Sequence, residues 1–333
     1  MKLKYLLHCN KNDPDFNLAL EEYALRTLDL THHDYLLFYI NSPSVIIGKH
    51  QHTMAEINQP YVEANNIAVV RRISGGGAVY HDLGNLNFSF LTTITRHDFG
   101  SYQYFVQFII DTLRELRVDA RLNGRNDITI GNKKISGNAQ YRYKDRMFSH
   151  GTLLFNTNLQ ALEQALKVSE DKKQAHAVQS ILARVTNILD HLHQTITIKN
   201  FQQKLLKKIF KNSYELYELL DPDYEKIEKL RTERYSTLMW NYDVLPRANV
   251  TRSKRFHIGK IEIKMWIQSK IIKMIKFYGD FFSQKYLHEL ETLLTNQPYD
   301  FECLNKIIEK IDLSQYFGAI PKQHFLSLIM GND

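Results

Sequence analysis

The sequence predicts an α+β protein made of one large domain over residues 1–245 and a smaller α+β domain over 246–333. Three observations predict it. The chain has 333 residues, more than a single core usually supports, so one larger and one smaller domain is the natural division. Short runs of period-two alternation are interspersed with helical apolar stripes. Periodicity then lapses at Leu245-Pro246-Arg247-Ala248-Asn249, and a fresh set of strand and helix patterns follows.

Composition narrows the class. Hydrophobic residues make up 44% and charged residues 24%, as in an ordinary globular protein, and no apolar run approaches the roughly 18 residues that span a bilayer. At the N-terminus the apolar run stops after Tyr5-Leu6-Leu7, well short of a signal-peptide core, so a cytoplasmic protein with no membrane role is expected. Cys9 and Cys303 are the only cysteines and stand near opposite ends, which argues against a disulfide framework or a cysteine metal site. The formal charge is +7, from 43 basic and 36 acidic residues, with clusters at Lys204-Lys207-Lys208-Lys211 and Arg252-Lys254-Arg255. Such clusters either steer an acidic partner or are solvated faces. No recognition-helix or RNA-platform motif accompanies them, so nucleic acid is not an expected partner.

In chain order, Asp13-Pro14-Asp15 offers a helix start, and residues 16–25 carry apolar side chains at helical spacing. Tyr35-Leu36-Leu37-Phe38-Tyr39-Ile40 and Ser44-Val45-Ile46-Ile47-Gly48 flank Asn41-Ser42-Pro43 and read as neighbouring strands of a sheet. The stretch 71–90 comes next. Gly75, Gly76 and Gly77 follow the apolar run 67–70 and precede strict alternation at Leu86, Phe88 and Phe90, a strand, glycine loop and strand. Lacking Cβ atoms, the glycines let backbone amides approach an anion, and Arg71 and Arg72 add permanently charged forks. A phosphate-holding loop and a flexible turn are both consistent with these residues, and the polar company of Ser74, His81, Asp82, Asn85 and Asn87 favours the first.

Ser101 is a fair N-cap for a helix with Phe105, Phe108, Ile109, Leu113 and Leu116 on one side. Gly131-Asn132 then reads as a two-residue hairpin turn. The implied register pairs Ile130 with Lys133, Thr129 with Lys134, Ile128 with Ile135 and Asp127 with Ser136. Asp127, Thr129, Lys134 and Ser136 then share one face, with Lys134 diagonal to Asp127 at roughly 7–8 Å. Either a metal or phosphate sits between the two charges, or they form an exposed cross-strand pair of small worth. Residues 141–148 are polar and basic, His150-Gly151-Thr152-Leu153-Leu154-Phe155 reads as a strand, and 159–166 as a helix. The polar stretch 169–188 suggests a flap, and 201–210 an amphipathic helix with lysines outward. In the second unit, 260–267 alternates, 270–277 is its return strand after Gln268-Ser269, and helical patterns occupy 286–294, 301–311 and 322–330. No internal repeat or low-complexity segment is present.

Five strings, in order, resemble the lipoate–protein ligase A family within the wider biotin/lipoate ligase group. They are Arg71-Arg72-Ile73-Ser74-Gly75-Gly76-Gly77-Ala78-Val79-Tyr80-His81-Asp82-Leu83-Gly84-Asn85, Gly124-Arg125-Asn126-Asp127, Lys134-Ile135-Ser136-Gly137, His150-Gly151-Thr152-Leu153 and Arg184-Val185-Thr186-Asn187. The resemblance is strong over 1–245 and looser beyond, through Tyr278-Gly279-Asp280-Phe281-Phe282. One departure is visible. Where relatives carry Trp-Asn-Phe/Tyr-Gly-Lys-Ser-Pro before the small domain, this chain has Trp240-Asn241-Tyr242-Asp243-Val244-Leu245-Pro246, which bears on the linker rather than the chemistry.

The resemblance implies a large mixed-sheet catalytic domain of the biotin/lipoate ligase type with a smaller C-terminal α+β domain. It implies an ATP-dependent, AMP-forming ligase that activates lipoate to lipoyl-AMP and transfers the lipoyl group to one lysine of an acceptor. The implied acceptors are acidic lipoyl proteins, namely the E2 lipoyl domains of 2-oxoacid dehydrogenases and the glycine cleavage H protein. ATP, Mg²⁺ and lipoate are required, and no tightly bound prosthetic group is expected. Carried over residue by residue, Lys134 is the central catalytic cation, between carboxylate and phosphate. Arg72 and the backbone of Gly75, Gly76, Gly77, Ala78, Val79 and Tyr80 hold the nucleotide, with Asn126 and Arg184, while Asp127 orients Mg²⁺. Ser74, His81, His150, Gly137 and Thr152, with Lys134, bind lipoate. A flap over 174–187 closes over the adenylate and excludes water. Taken alone, His81 and His150 read first as satisfied structural histidines.

The rival within the same fold group is an octanoyl or lipoyl transferase that works without ATP through a cysteine thioester. Neither cysteine adjoins any of the five strings, so the sequence speaks against it. A biotin ligase is a further alternative, but Arg-Arg-Ile-Ser-Gly-Gly-Gly fits the lipoate branch better.

Overall fold

The structure, a computed structural model, describes residues 2–7, 11–124, 126–167, 181–211, 215–242 and 247–331. The chain forms two compact units. The first comprises Met1–Ile47, Met54–Arg72 and Ala78–Asn241, and the second Gly48–Thr53, Ile73–Gly77 and Tyr242–Asp333.

The first unit is built on a mixed sheet. Its strands are β1 (Lys2–Leu7), β2 (His33–Tyr39), β3 (Ser44–Ile47), β4 (Ala68–Arg71), β5 (Val79–His81), β6 (Asn85–Thr93), β7 (Ala120–Asn123), β8 (Asp127–Ile130), β9 (Lys133–Tyr143), β10 (Arg146–Leu154) and β11 (Glu215–Glu218). Eight of them run in the order β11-β1-β2-β6-β10-β9-β8-β7, and the other three form a small sheet β4-β3-β5. β1 is parallel to both β2 and β11, while β2–β6, β6–β10, β10–β9, β9–β8 and β8–β7 are antiparallel.

Three expectations need correction. β2 and β3 are not neighbours: β3 pairs with β4 and β5, and the Pro43 carbonyl accepts the Ala68 amide that opens β4. Two adjacent apolar runs carry no mark of which distant strand each will meet, so the local reading paired them with each other. Residues 141–148 are not a bare polar link, because β9 continues to Tyr143 and β10 starts at Arg146, with a turn at Lys144, whose φ is +57°. Alternation through their polar side chains hid the hairpin. The helix expected to start from Ser101 runs Gln103–Glu115, with Tyr102 at the N-cap.

Leu86, Phe88 and Phe90 face one core with Phe105, Ile109 and Leu113 from the Gln103–Glu115 helix and Phe201 and Leu205 from the Ile198–Phe210 helix. Each such fully buried side chain contributes about 1.5–3 kcal/mol. The polar half of the alternation is buried too, for Asn85, Asn87 and Ser89 have 0–2% exposure. The helix Pro14–Thr27 is buried along Phe16 to Leu25, and this apolar element carries Asn17, Glu21 and Glu22 into the interior. Buried carboxylates require partners. Glu22 accepts from Arg26, Arg234 and the Tyr235 hydroxyl at 2.6–2.7 Å. Burial alone would raise its pKa, but these donors outweigh it and hold the carboxyl below the usual range.

The second unit has an antiparallel sheet of β12 (Val250–Phe256), β13 (Gly259–Gln268) and β14 (Ile271–Gly279). Ser269 and Lys270 both have positive φ, as a two-residue hairpin turn demands. β12 was not expected, because its apolar side chains are few and the strand begins among the lysines and arginines read as a charge cluster. Helices Leu287–Leu294, Phe301–Ile308 and Lys322–Met330 bury Leu290, Leu304 and Phe325 with Ile263 and Ile275. The segments Gly48–Thr53 and Ile73–Gly77 pack into this unit through backbone. A Cβ on Gly75 would lie 2.4 Å from the Phe281 carbonyl oxygen, and one on Gly48 would lie 1.9 Å from that of Gly76. The His50 ring stacks on Phe281 at 5.2 Å, and the His50 carbonyl accepts the Gly279 amide.

Candidate active site

The hairpin of β8 and β9 sets the first part of the site. Gly131 takes φ +56° in the turn, and Ile130–Lys133 and Thr129–Lys134 pair as expected. The register then shifts. A bulge places Ser136 opposite Ile128 and Gly137 opposite Asp127, instead of Ile135 and Ser136. Ile128 and Ile135 both reach the core while Ser136 is buried, so Ser136 does not share the face of Asp127 and Lys134. Nor are the two charges 7–8 Å apart. Lys134 Nζ lies 2.8 Å from Asp127 Oδ1, and a Cβ on Gly137 would fall 2.8 Å from that ammonium. Gly137 is therefore the space in which the Lys134 head group rests. Both side chains are about a third exposed (36% and 37%), so the pair is worth about 1 kcal/mol or less and is readily exchanged for a bound anion.

Two other motif strings meet this hairpin, and Asn126 beside Asp127 braces it. The Thr186 amide donates to the Lys134 carbonyl at 3.0 Å, and Val185 bridges to Lys134, which docks Arg184-Val185-Thr186-Asn187 against the same strand. Arg184 itself is exposed. The Thr152 hydroxyl accepts the Gly137 amide at 3.2 Å. The Asn126 side-chain amide donates to the Asn138 carbonyl, while the Asn138 side chain returns a bond to the Asn126 carbonyl at 2.8 Å. Most of the expected flap, 168–180, and Arg125 lie outside the described residues.

The second part is a buried cluster of charge. Arg72 is 6% exposed and donates to the Ile46 carbonyl, and burial brings its pKa down to about 10, which leaves it cationic at neutral pH. Tyr39 is pushed well above its ordinary value by burial and by Glu21. His150 Nδ1 lies 2.9 Å from both Glu21 oxygens, so it carries the proton and donates to that carboxylate. His81 is buried and its pKa falls to about 3, first through burial and then through Arg72 and His150. Arg71 parts company with Arg72: its guanidinium donates to the Trp240 and Asn241 carbonyls, and its backbone bonds Asn241 Oδ1 and Trp240 Nε1. It is a clamp on the Leu238–Tyr242 helix.

The glycine loop is divided by the units. Ala78 is half-buried, and Val79 and Tyr80 lie on β5 in the first unit opposite Ile46 and Val45. Tyr80 is buried and its hydroxyl is raised to about 12 by burial and Asp82. Ser74 is buried in the second unit, where its carbonyl accepts the Lys49 amide. The Gly76 amide donates to the Phe281 carbonyl at 3.4 Å, whereas a Cβ on Gly77 would meet nothing within 4 Å. Asn17, Glu21 and Asn41 escaped the sequence reading. The available signal was a helix apolar on nearly every face yet carrying Asn17 and Glu21 one turn apart.

Residues 13–210 match the model of the lipoyl protein ligase A/B catalytic domain, and 245–329 match that of the bacterial lipoate protein ligase C-terminus. Fold and site thus point to the lipoyl ligase class. A lipoate–protein ligase 1 of Staphylococcus aureus is 44% identical, with 98% of this chain and all of that protein covered. The lipoate-protein ligase LplJ of Bacillus subtilis is 45% identical over 96% of this chain and 98% of its own. Among solved structures, P. falciparum LipL1 in complex with lipoate superposes with a TM-score of 0.81 at 25% identity, covering 99% and 98% of the two chains. A lipoate-protein ligase A bound with ATP gives 0.62 at 29% identity over 74% of this chain and all of that one. A bipartite ligase of Thermoplasma acidophilum, described with its E2 lipoyl domain, gives 0.63 at 30% identity over 75% and 100%. The chain belongs to the lipoate–protein ligase A family.

Proposed function

We propose that this chain joins lipoate to ATP to form lipoyl-AMP and then transfers the lipoyl group to a lysine of an acidic lipoyl domain. The observation that carries this reading is the Lys134 ammonium, seated over Gly137 and held by a carboxylate, about a third exposed, that it can exchange. A carboxylate oxygen of lipoate attacks the α-phosphorus of ATP as the bond to pyrophosphate breaks, which draws two anions together. Lys134 and Arg72 neutralise the charge that gathers there. The acceptor amine then attacks the acyl carbon, the bond to AMP breaks, and the amine gives up its proton as the amide forms.

In this reading Arg72, Asn126, Arg184 and the backbone of 75–80 hold the nucleotide, and Ser74, His81, Gly137, His150 and Thr152 hold lipoate. Among the described residues no group of three or more His, Cys, Asp or Glu side chains gathers as a metal site. A single carboxylate such as Asp127 would suit Mg²⁺, an ion that takes one or two carboxylates with substrate phosphates and waters. Bound there, it supplies charge neutralisation to the phosphates. Among the described residues no helix is long and apolar enough to cross a membrane.

The test is intact-mass spectrometry of an apo lipoyl domain incubated with the chain, lipoate and Mg²⁺. Addition of one lipoyl group only when ATP is present is the expected result. Acyl transfer from a loaded donor protein without ATP contradicts it and favours the thioester route.

A further inference from the structure

The His81 side chain is oriented by a chain of amides whose direction is fixed by backbone carbonyls. Asn17 Nδ2 lies 3.0 Å from the Lys11 carbonyl and 2.8 Å from Asn41 Oδ1. A carbonyl only accepts, so the Asn17 nitrogen is the donor group and Asn41 Oδ1 must accept. Asn41 therefore presents its NH₂ to His81 Nδ1, 3.0 Å away, and that ring nitrogen must be the bare one. All three side chains are 0–3% exposed, so water cannot reverse the order. The ring proton of His81 is left on Nε2, and among the described residues that buried atom has no hydrogen-bond partner. A buried donor with no acceptor costs about 1–3 kcal/mol, a cost that a bound acceptor would remove.

We propose that Asn41, aligned by Asn17, is a positioning residue that locks His81 in its neutral Nε2–H form, and that this hydrogen is donated to an acceptor atom of the bound acyl substrate. The donation rests on the lipoate-activating function proposed above; the tautomer does not. His150 has the opposite polarity, since its Nδ1–H donates to Glu21. The cluster thus offers two histidines held in different tautomers by different partners. A protonated His81 is opposed from three sides, by the Asn41 amide hydrogens at Nδ1 and by the neighbouring Arg72 and His150.

The experiment is ¹⁵N histidine NMR on the full native chain, with the His81 signals assigned by their loss in His81→Gln. A single neutral Nε2–H ring from about pH 5 to 8 is expected. A proton on Nδ1, or on both nitrogens, overturns the proposal without any further variant. Saturating lipoate should shift the His81 Nε2–H resonance, and an unmoved resonance overturns the donation. Asn41→Leu removes the donor to Nδ1, so the ring should sample both tautomers. The KM for lipoate in pyrophosphate exchange should rise about ten-fold, with the KM for ATP unchanged. A single native tautomer and a native lipoate KM in that variant would show that Asn41 positions nothing. Failure of the native chain to exchange pyrophosphate at all would instead overturn the ligase reading, while the NMR still decides the tautomer.

Discussion

Lys134 depends on what Gly137 lacks. A methyl group there would meet the far end of a flexible lysine at 2.8 Å rather than backbone, so Gly137→Ala should fold normally and displace the ammonium. Because a shift of about 1 Å at a reacting centre can cost about a hundred-fold, lipoate-dependent pyrophosphate exchange should fall by one to two orders of magnitude with an unchanged melting temperature. Native exchange in this variant would mean that the resting place of Lys134 is irrelevant. His81 makes a second prediction at this scale. Its imidazole titrates near 3 when folded and near 6.5 when unfolded, so between these values only the unfolded chain takes up the proton. This part of the stability is complete above about pH 6.5 and declines as pH falls, by about 2 kcal/mol between pH 7 and pH 5. Urea unfolding at the two pH values should show that slope, and His81→Gln should lack it. Lys134 over Lys133 was legible from hairpin parity alone, because a period of two sorts faces without knowledge of the fold. Asn41 was not, since nothing in Asn41-Ser42-Pro43 marks a side chain that turns inward to a histidine forty positions on.

At the scale of elements, the Arg71 clamp ties Trp240 and Asn241, in the helix Leu238–Tyr242, into the first unit. Asn241 accepts the Arg71 amide at 2.9 Å and donates to the Tyr235 carbonyl at 2.7 Å. Asn241→Ala removes both of these hydrogen bonds and should cost about 1–3 kcal/mol in urea unfolding. A loss under about 0.5 kcal/mol would show that the helix is held elsewhere. The sequence showed a pair of arginines and could not divide their work, because what separates them is a helix some 170 positions away. The bulge in β9 was hidden for a different reason. Gly131-Asn132 fixes the register at the turn, but Ile135 is drawn into the core beside Ile128, and the ladder slips by one residue to let it in. Helix stripes such as Ile198–Phe210 were plain, since amphipathic spacing is a local property.

For the whole molecule, the sequence shows a lapse in periodicity near Leu245, but nothing in it marks the grouping of Gly48–Thr53 and Ile73–Gly77 with the second unit. That grouping rests on close backbone approach by glycines, which a sequence displays as a loop and nothing more. The net charge of +7 makes a prediction at this scale. If an acidic lipoyl domain is the acceptor, its KM should rise with ionic strength as the Debye length shrinks, while the KM for lipoate stays constant. Acceptor kinetics indifferent to salt would remove charge from partner choice. The central claim is that Lys134 is the cation on which carboxylate activation turns, and isotope exchange of pyrophosphate into ATP tests it most directly. The native chain and Lys133→Ala should exchange only with lipoate and Mg²⁺ present, and Lys134→Ala should not exchange although it folds. Equal exchange by the two lysine variants would contradict the account.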